Sequence, residues 1–215
     1  MIRTGWGALP NQFETQVVRY IPLDLEAGVA EFPPGSGIRV PLRPFFGILA
    51  VAPLEPCSSI PPGRFGGNMD NRHLQAGSRV FLPILHPGAL FSIGDGHSAQ
   101  GDGEVDVTAI ETSMDGTVTL TVRKDLATLD LTTPLAETPT HWITMGFAET
   151  LDGAFEQALS QMIGFLERFV GLSAEDAYVL CSLGIHFHVT QVVNRPQKGV
   201  HGMLPKAILP QAIAL

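Results

Sequence analysis

A chain of 215 residues, 45% hydrophobic and 16% charged, carries enough apolar mass for a substantial core and is not a disordered chain. Its formal charge of −8, with no Lys/Arg cluster, excludes the electrostatic footprint of a nucleic-acid binder. The two cysteines, Cys57 and Cys181, are too far apart for a disulfide framework or a thiolate knuckle, so a reducing, cytoplasmic setting is expected; no secretion signal is apparent, and no run reaches the ~18 apolar residues that span a bilayer.

In chain order, Gln16 to Pro22 and Gly37 to Leu42 are predicted strands, with Pro33-Pro34-Gly35 as a turn between them. Gly47 to Ala52 is a continuous apolar run, as a buried strand would be. Glu55 to Gly67, rich in Pro, Ser and Gly, is a loop. Arg79 to Leu85 is a strand that Pro83 confines to an edge or a bulge. Ala89 to Ile93 is another short strand. Val105 to Glu111 and Thr117 to Arg123 read as a hairpin closed near Asp115-Gly116, with Val118, Leu120 and Val122 packing on one face.

The period changes after Pro139. Thr144 to Phe147 is a short strand, and from Leu151 a helical stripe runs through Phe155, Ala158, Leu159, Met162, Ile163, Leu166, Phe169 and Val170. Gly171 suits the helix C-terminus, and Ser173 with Asp176 three residues on suits the start of a second helix. Ile185 to Val193 returns to strand, and the tail from Lys198 is loop and short strand. The pattern predicts an α+β protein, predominantly β, with a sandwich-like core and a C-terminal helical hairpin. One domain over 1–215 is expected: β-rich 1–148, helical hairpin 151–183, closing strand and tail 184–215.

The chemistry concentrates in Gly94-Asp95-Gly96-His97-Ser98-Ala99-Gln100-Gly101-Asp102-Gly103-Glu104. Glycines let side chains converge from a short stretch. Crowded carboxylates repel one another, and carboxylate with imidazole suits Zn²⁺ or a similar divalent ion. The alternative is a surface loop of turn residues, or one that holds a structural Ca²⁺. Asp70, at the end of Gly66-Gly67-Asn68-Met69-Asp70, is a possible ligand from a second loop. His186 and His188, two apart on a strand, share a face; they read better as a half-exposed pair than as ligands, and His73, His86, His141 and His201 read as ordinary. No Gly-x-Ser-x-Gly elbow occurs, and neither cysteine has an activating neighbour, which leaves metal-activated water as the available hydrolytic device.

Pro41 to Gly47 (PLRPFFG), Pro61 to Asp70 (PPGRFGGNMD), Gly88 to Glu104 (GALFSIGDGHSAQGDGE), Ala109-Ile110-Glu111, Thr144 to Phe147 and Gly199 to Lys206 (GVHGMLPK) together resemble the acetamidase/formamidase family. The resemblance covers nearly the whole chain. It implies hydrolysis of a short aliphatic amide to a carboxylic acid and ammonia, a bound divalent metal, zinc in first place and calcium as the alternative, and homo-oligomers. It implies metal ligation by Asp70, His97 and Glu104. In that setting Glu104, Asp102 and His97 would be catalytic, a carboxylate taking the water proton and returning it to the departing nitrogen. Asn68 or Gln100 would steady the oxyanion, and Phe91 would wall a small substrate pocket. Members of the family carry a substantial N-terminal segment, so a separate N-terminal subunit is a further expected partner. They carry an acid where His186 stands. A relative that binds a ligand or partner without turnover is the alternative.

Overall fold

The structure, a computed structural model, describes residues 2–126, 129–213 and 215. Its strands are β1 (Leu23–Asp24), β2 (Val29–Glu31), β3 (Arg39–Pro41), β4 (Phe45–Ala50), β5 (Gly66–Asn68), β6 (Arg79–Phe81), β7 (Ser92–His97), β8 (Leu135–Glu137), β9 (His141–Ala148), β10 (His186–Gln191) and β11 (Lys198–Pro205). Its helices are α1 (Leu151–Val170) and α2 (Ala174–Gly184). The strands form an antiparallel five-stranded sheet in the order β10-β11-β9-β8-β6 and two three-stranded sheets, β5-β4-β7 and β1-β2-β3. This is the α+β, predominantly β architecture expected.

The two-residue alternation of β9 explains the layering. Trp142 faces the helices and packs with Phe165 and Leu166, while Ile143, Met145 and Phe147 face the other way, onto Met69, Leu74 and Leu49 of β4. The five-stranded sheet therefore lies between the helical hairpin and the β4 sheet. Gly146 lets α1 approach closely, because a Cβ there would overlap the carbonyl of Ala154 and lie 2.6 Å from the Ala158 nitrogen.

Both helices begin for local reasons, and α1 also ends for one. The Thr150 hydroxyl accepts from the Gly153 N–H at 3.1 Å, and Gly171, at φ 79°, donates its N–H to the Leu166 carbonyl. The Ser173 hydroxyl accepts from the Asp176 N–H at 3.1 Å. These caps satisfy backbone groups that the helix ends would otherwise leave unpaired.

Several predicted strands differ from those observed. Gln16 to Pro22 forms no strand; Val17 makes one isolated bridge to Ile2. The strand expected at Ala89 to Ile93 starts only at Ser92, since Ala89 and Leu90 hold left-handed φ of 56° and 52°, and it continues through His97. The hairpin over 105–123 does not form: Val118, Leu120 and Val122 are exposed rather than packed. The tail, expected as loop and short strand, is instead the eight-residue β11, paired on both sides and largely buried. Arg79–Phe81 is an edge strand that stops short of Pro83, as a residue without an N–H requires.

Candidate active site

Gly94 to His97 is strand, not loop, and this places Asp95 and His97 on one face of β7. β4 pairs with β7 on one side and with β5 on the other, so the turn after β5 delivers Asp70 to the same place. The Asp70 N–H is held by the Gly47 carbonyl at 3.2 Å. Gly103 closes the site from the five-stranded sheet: its N–H donates to the Thr190 carbonyl, and its own carbonyl accepts from Val192. That tie turns Glu104 inward. Asp70, Asp95 and Glu104 all hold left-handed φ, at 48°, 63° and 44°. Such strain in non-glycine residues persists where surrounding structure imposes it, and it concentrates at functional sites.

His97 is 1% exposed and is the hub. Its Nδ1 meets Gln100 Oε1 at 2.8 Å, and Gln100 Nε2 donates to the Asp70 carbonyl at 2.7 Å. Its Nε2 lies 3.3 Å from Asp95 Oδ1 and 3.2 Å from Glu111 Oε2. The ring of Phe45 stands edge-on to it. Burial opposes charge on this imidazole, but the Asp95 and Glu111 carboxylates outweigh burial and push it up to about 11.

Asp70 and Glu104 are buried, and their carboxyls are close enough to act on one another. Burial raises both carboxyls above their ordinary range, and for Glu104 the Asp70 charge adds to it. Asn194 Nδ2 donates to Asp70 Oδ2 at 2.5 Å, yet Asp70 Oδ1 and Glu104 Oε2 are buried without any donor. Two such oxygens must share either a proton or a cation. Asp70, Asp95 and His97 form one set of closely spaced metal-ligand atoms, and His97, Glu104 and Glu111 a second, each within 4.8 Å. The donor set and the two orphaned oxygens fit a divalent ion.

The structure thus brings Asp70, His97, Glu104 and Gln100 together. It does not bring in the others. Asp102 points away from this cluster, toward His73 at 3.9 Å and His188 at 3.6 Å. The Asn68 side-chain amide donates to the Ile60 carbonyl. Phe91 lines a separate groove of about 1210 Å³ with Phe46, Leu49, Ile93 and Met114, a groove that none of the clustered acids lines. Asp95 and Glu111 lie within the motifs that carry the resemblance, but residue type alone assigns them no role; their approach to His97 depends on β7 being strand and on the bridge between His97 and Glu111. Asn194, 124 residues from Asp70, carries no local signal.

Fold and cluster together define a β-rich protein with a buried carboxylate–imidazole site. The chain belongs to the Acetamidase/Formamidase family, whose sequence profile matches residues 50–211. It is 34% identical over 160 residues to a Schizosaccharomyces pombe protein provisionally named a formamidase, covering 63% of this chain and 38% of that protein. It is 32% identical over 165 residues to the formamidase of Methylophilus methylotrophus, covering 67% of this chain and 40% of the relative. The crystal structure of an acetamidase from Bacillus halodurans superposes with a TM-score of 0.79 at 31% identity, over 95% of this chain and 67% of that one. The chain spans about two fifths of the length of these two curated relatives.

Proposed function

We propose that this chain hydrolyses a short aliphatic amide, of the formamide or acetamide type, to a carboxylic acid and ammonia. The observation that carries the reading is the buried Asp70–Glu104 pair beside His97, with one unpaired oxygen on each acid. Family membership and the names of the relatives support the same chemistry.

Asp70, His97 and Glu104, with Asp95 and Glu111 in reach, are the residues that would hold a divalent ion, zinc before calcium given the imidazole. Such an ion supplies polarisation of a carbonyl and a lowered pKa for water. The remaining work falls to the side chains. Gln100 fixes the His97 ring and so directs Nε2 at Asp95 and Glu111. Glu111 is the most open of these acids, its side chain 48% exposed, and is placed to take a proton from an attacking water. The same proton must reach the departing nitrogen, because an amide anion cannot leave at neutral pH. Glu111, having taken that proton, is placed to return it, because Glu104 would be occupied as a ligand of the ion. Asp102 has no step in this reading.

The test is ammonia release from formamide and acetamide by the zinc-loaded protein. Release by the wild type that is lost in His97→Ala and in Glu104→Ala supports the reading. No release by the wild type, or full activity in either variant, overturns it.

A homo-oligomer is proposed on a separate observation. Val118, Leu120 and Val122 are 46%, 65% and 65% exposed on a segment that joins no sheet, an apolar row that a second copy would cover. Sedimentation as a dimer or larger species is expected; a monomer at all concentrations overturns it. Both thiols are free, Cys57 exposed and Cys181 buried, in keeping with a reducing compartment such as the cytoplasm. No helix among the described residues is long and apolar enough to cross a membrane.

A further inference from the structure

The site above leaves a second group of imidazoles unused. β10 and β11 pair His188 directly with His201, and the two rings stack at 5.3 Å with 17° between their planes. His73, three residues past Asp70, brings its ring to 5.0 Å from that of His201, edge-on. Asp102 reaches into this group from the other side: its two oxygens lie 3.9 Å from His73 Nε2 and 3.6 Å from His188 Nδ1.

His201 is fully buried. Its Nδ1 is paired with the Thr190 hydroxyl at 2.7 Å, while its Nε2 is buried with no partner. His73 Nε2 is likewise buried without a hydrogen-bond partner. A histidine placed only for packing loses free energy by leaving a ring nitrogen dry and unpaired. A histidine whose one nitrogen is anchored and whose other is free has the arrangement of a metal ligand.

We propose that His73, Asp102 and His201 form a second divalent-cation site, separate from the carboxylate-rich cluster around His97 and selective for zinc or a similar transition-metal ion.

The donor atoms of these three residues lie within 4.8 Å of one another. Ligands at a bond length of about 2.0–2.1 Å would need to close by less than about 1 Å each. Asp102, with its side chain one-third exposed on the 101–103 turn, is the one free to do so. Two imidazoles and one carboxylate favour zinc over calcium or magnesium, which take oxygen donors. Three protein ligands would leave a fourth position open, and His188 stacks on the His201 ring beside them. Burial, reinforced by the neighbouring His73 and His188, keeps His201 well below its ordinary value, so its nitrogen lone pair is available without loss of a proton. The proposal does not depend on the amidase reading.

The test uses chelator-stripped protein titrated with Zn²⁺, by calorimetry, and with Co²⁺, by visible absorption. Wild type is compared with His73→Ala, Asp102→Asn, His201→Gln and Glu104→Gln. The expected result is that wild type binds Zn²⁺ and that His73→Ala and Asp102→Asn each lose one equivalent, or bind it at least tenfold more weakly. Glu104→Gln retains that equivalent, together with the part of the Co²⁺ absorption that His73→Ala and Asp102→Asn lose. Wild-type stoichiometry and affinity in both His73→Ala and Asp102→Asn overturns the proposal, as does failure of the wild type to bind at all. If His201→Gln does not fold, the two more accessible positions decide the matter. Ammonia release is scored separately, so failure here leaves the amidase reading standing, and the reverse.

Discussion

Gly47 is a glycine because Asp70 occupies the space where its side chain would be. A Cβ at position 47 would overlap Asp70 Oδ1 and come within 2.6 Å of Asp95 Oδ2. The strand that supplies Phe45 to the His97 ring therefore also vacates the volume in which two acids meet.

Gly47→Ala is expected to fold and to fail at the site. The new methyl must displace one carboxylate or the other, an overpacking cost of about 1–3 kcal/mol. At about 1.4 kcal/mol per factor of ten, zinc affinity and amide turnover should fall about tenfold to a hundredfold. Calorimetric zinc titration together with kcat/KM for formamide checks this; wild-type values in both would show that the cradle has slack.

Stability should fall as pH rises when no metal is present. Glu104 has a folded pKa above its ordinary 4.5, raised by burial and by Asp70, so between the two values the folded state holds a proton that the unfolded chain has released. The folded form is then favoured below about pH 4.5 and progressively less favoured as pH climbs through the neutral range, by at most about 1.4 kcal/mol per pH unit. Asp70, raised by burial, contributes with the same sign. Thermal melts in chelator from pH 5 to 9 should slope downward for wild type and less so for Glu104→Gln, while added zinc should raise the wild-type Tm at pH 7. Parallel curves for the two proteins would refute the assignment.

Gln100→Ala removes the amide that links His97 Nδ1 to the Asp70 backbone. The imidazole then loses the partner that sets its tautomer. Groups in this position typically account for a factor of about 10–100 in metal affinity or activity. The drop should appear in zinc affinity and kcat with little change in Tm; a large Tm loss with unchanged affinity would make Gln100 a folding residue.

Gly146→Ala tests the layering rather than the chemistry. Its methyl would collide with the first turns of α1, at the Ala154 carbonyl and the Ala158 nitrogen. A destabilisation of about 1–3 kcal/mol is expected, which at about 2–4 °C per kcal/mol lowers Tm by several degrees. A Tm unchanged by this substitution would mean that α1 does not pack as closely as the structure has it.

The helical hairpin was legible in advance because each signal is local. The 3.6-residue stripe from Leu151, Gly171 after it, and Ser173 with Asp176 act within a turn or two of chain; the structure uses Gly171 and Ser173 as caps and buries Ala158, Met162 and Leu166, while Phe155 at the head of the stripe stays exposed. Val118, Leu120 and Val122 show where local reading stops. They alternate as strand residues do, but alternation says only that a face exists, not that this chain covers it.

The composition of Gly94 to Glu104 marked this region as a candidate for chemistry, because crowded acids repel one another and, beside an imidazole, suit a cation. Which of those groups meet was decided by pairing in space. β7 set Asp95 and His97 on one face, the bridge from Gly103 to Gln191 turned Glu104 in and left Asp102 to His73 and His188, and β11 carried His201 beside His73 from 128 positions away along the chain. Residue type and short-range spacing are carried by neighbouring atoms and can be read along a line. Convergence of distant side chains depends on sheet register, and register follows from burial of the whole set of strands at once.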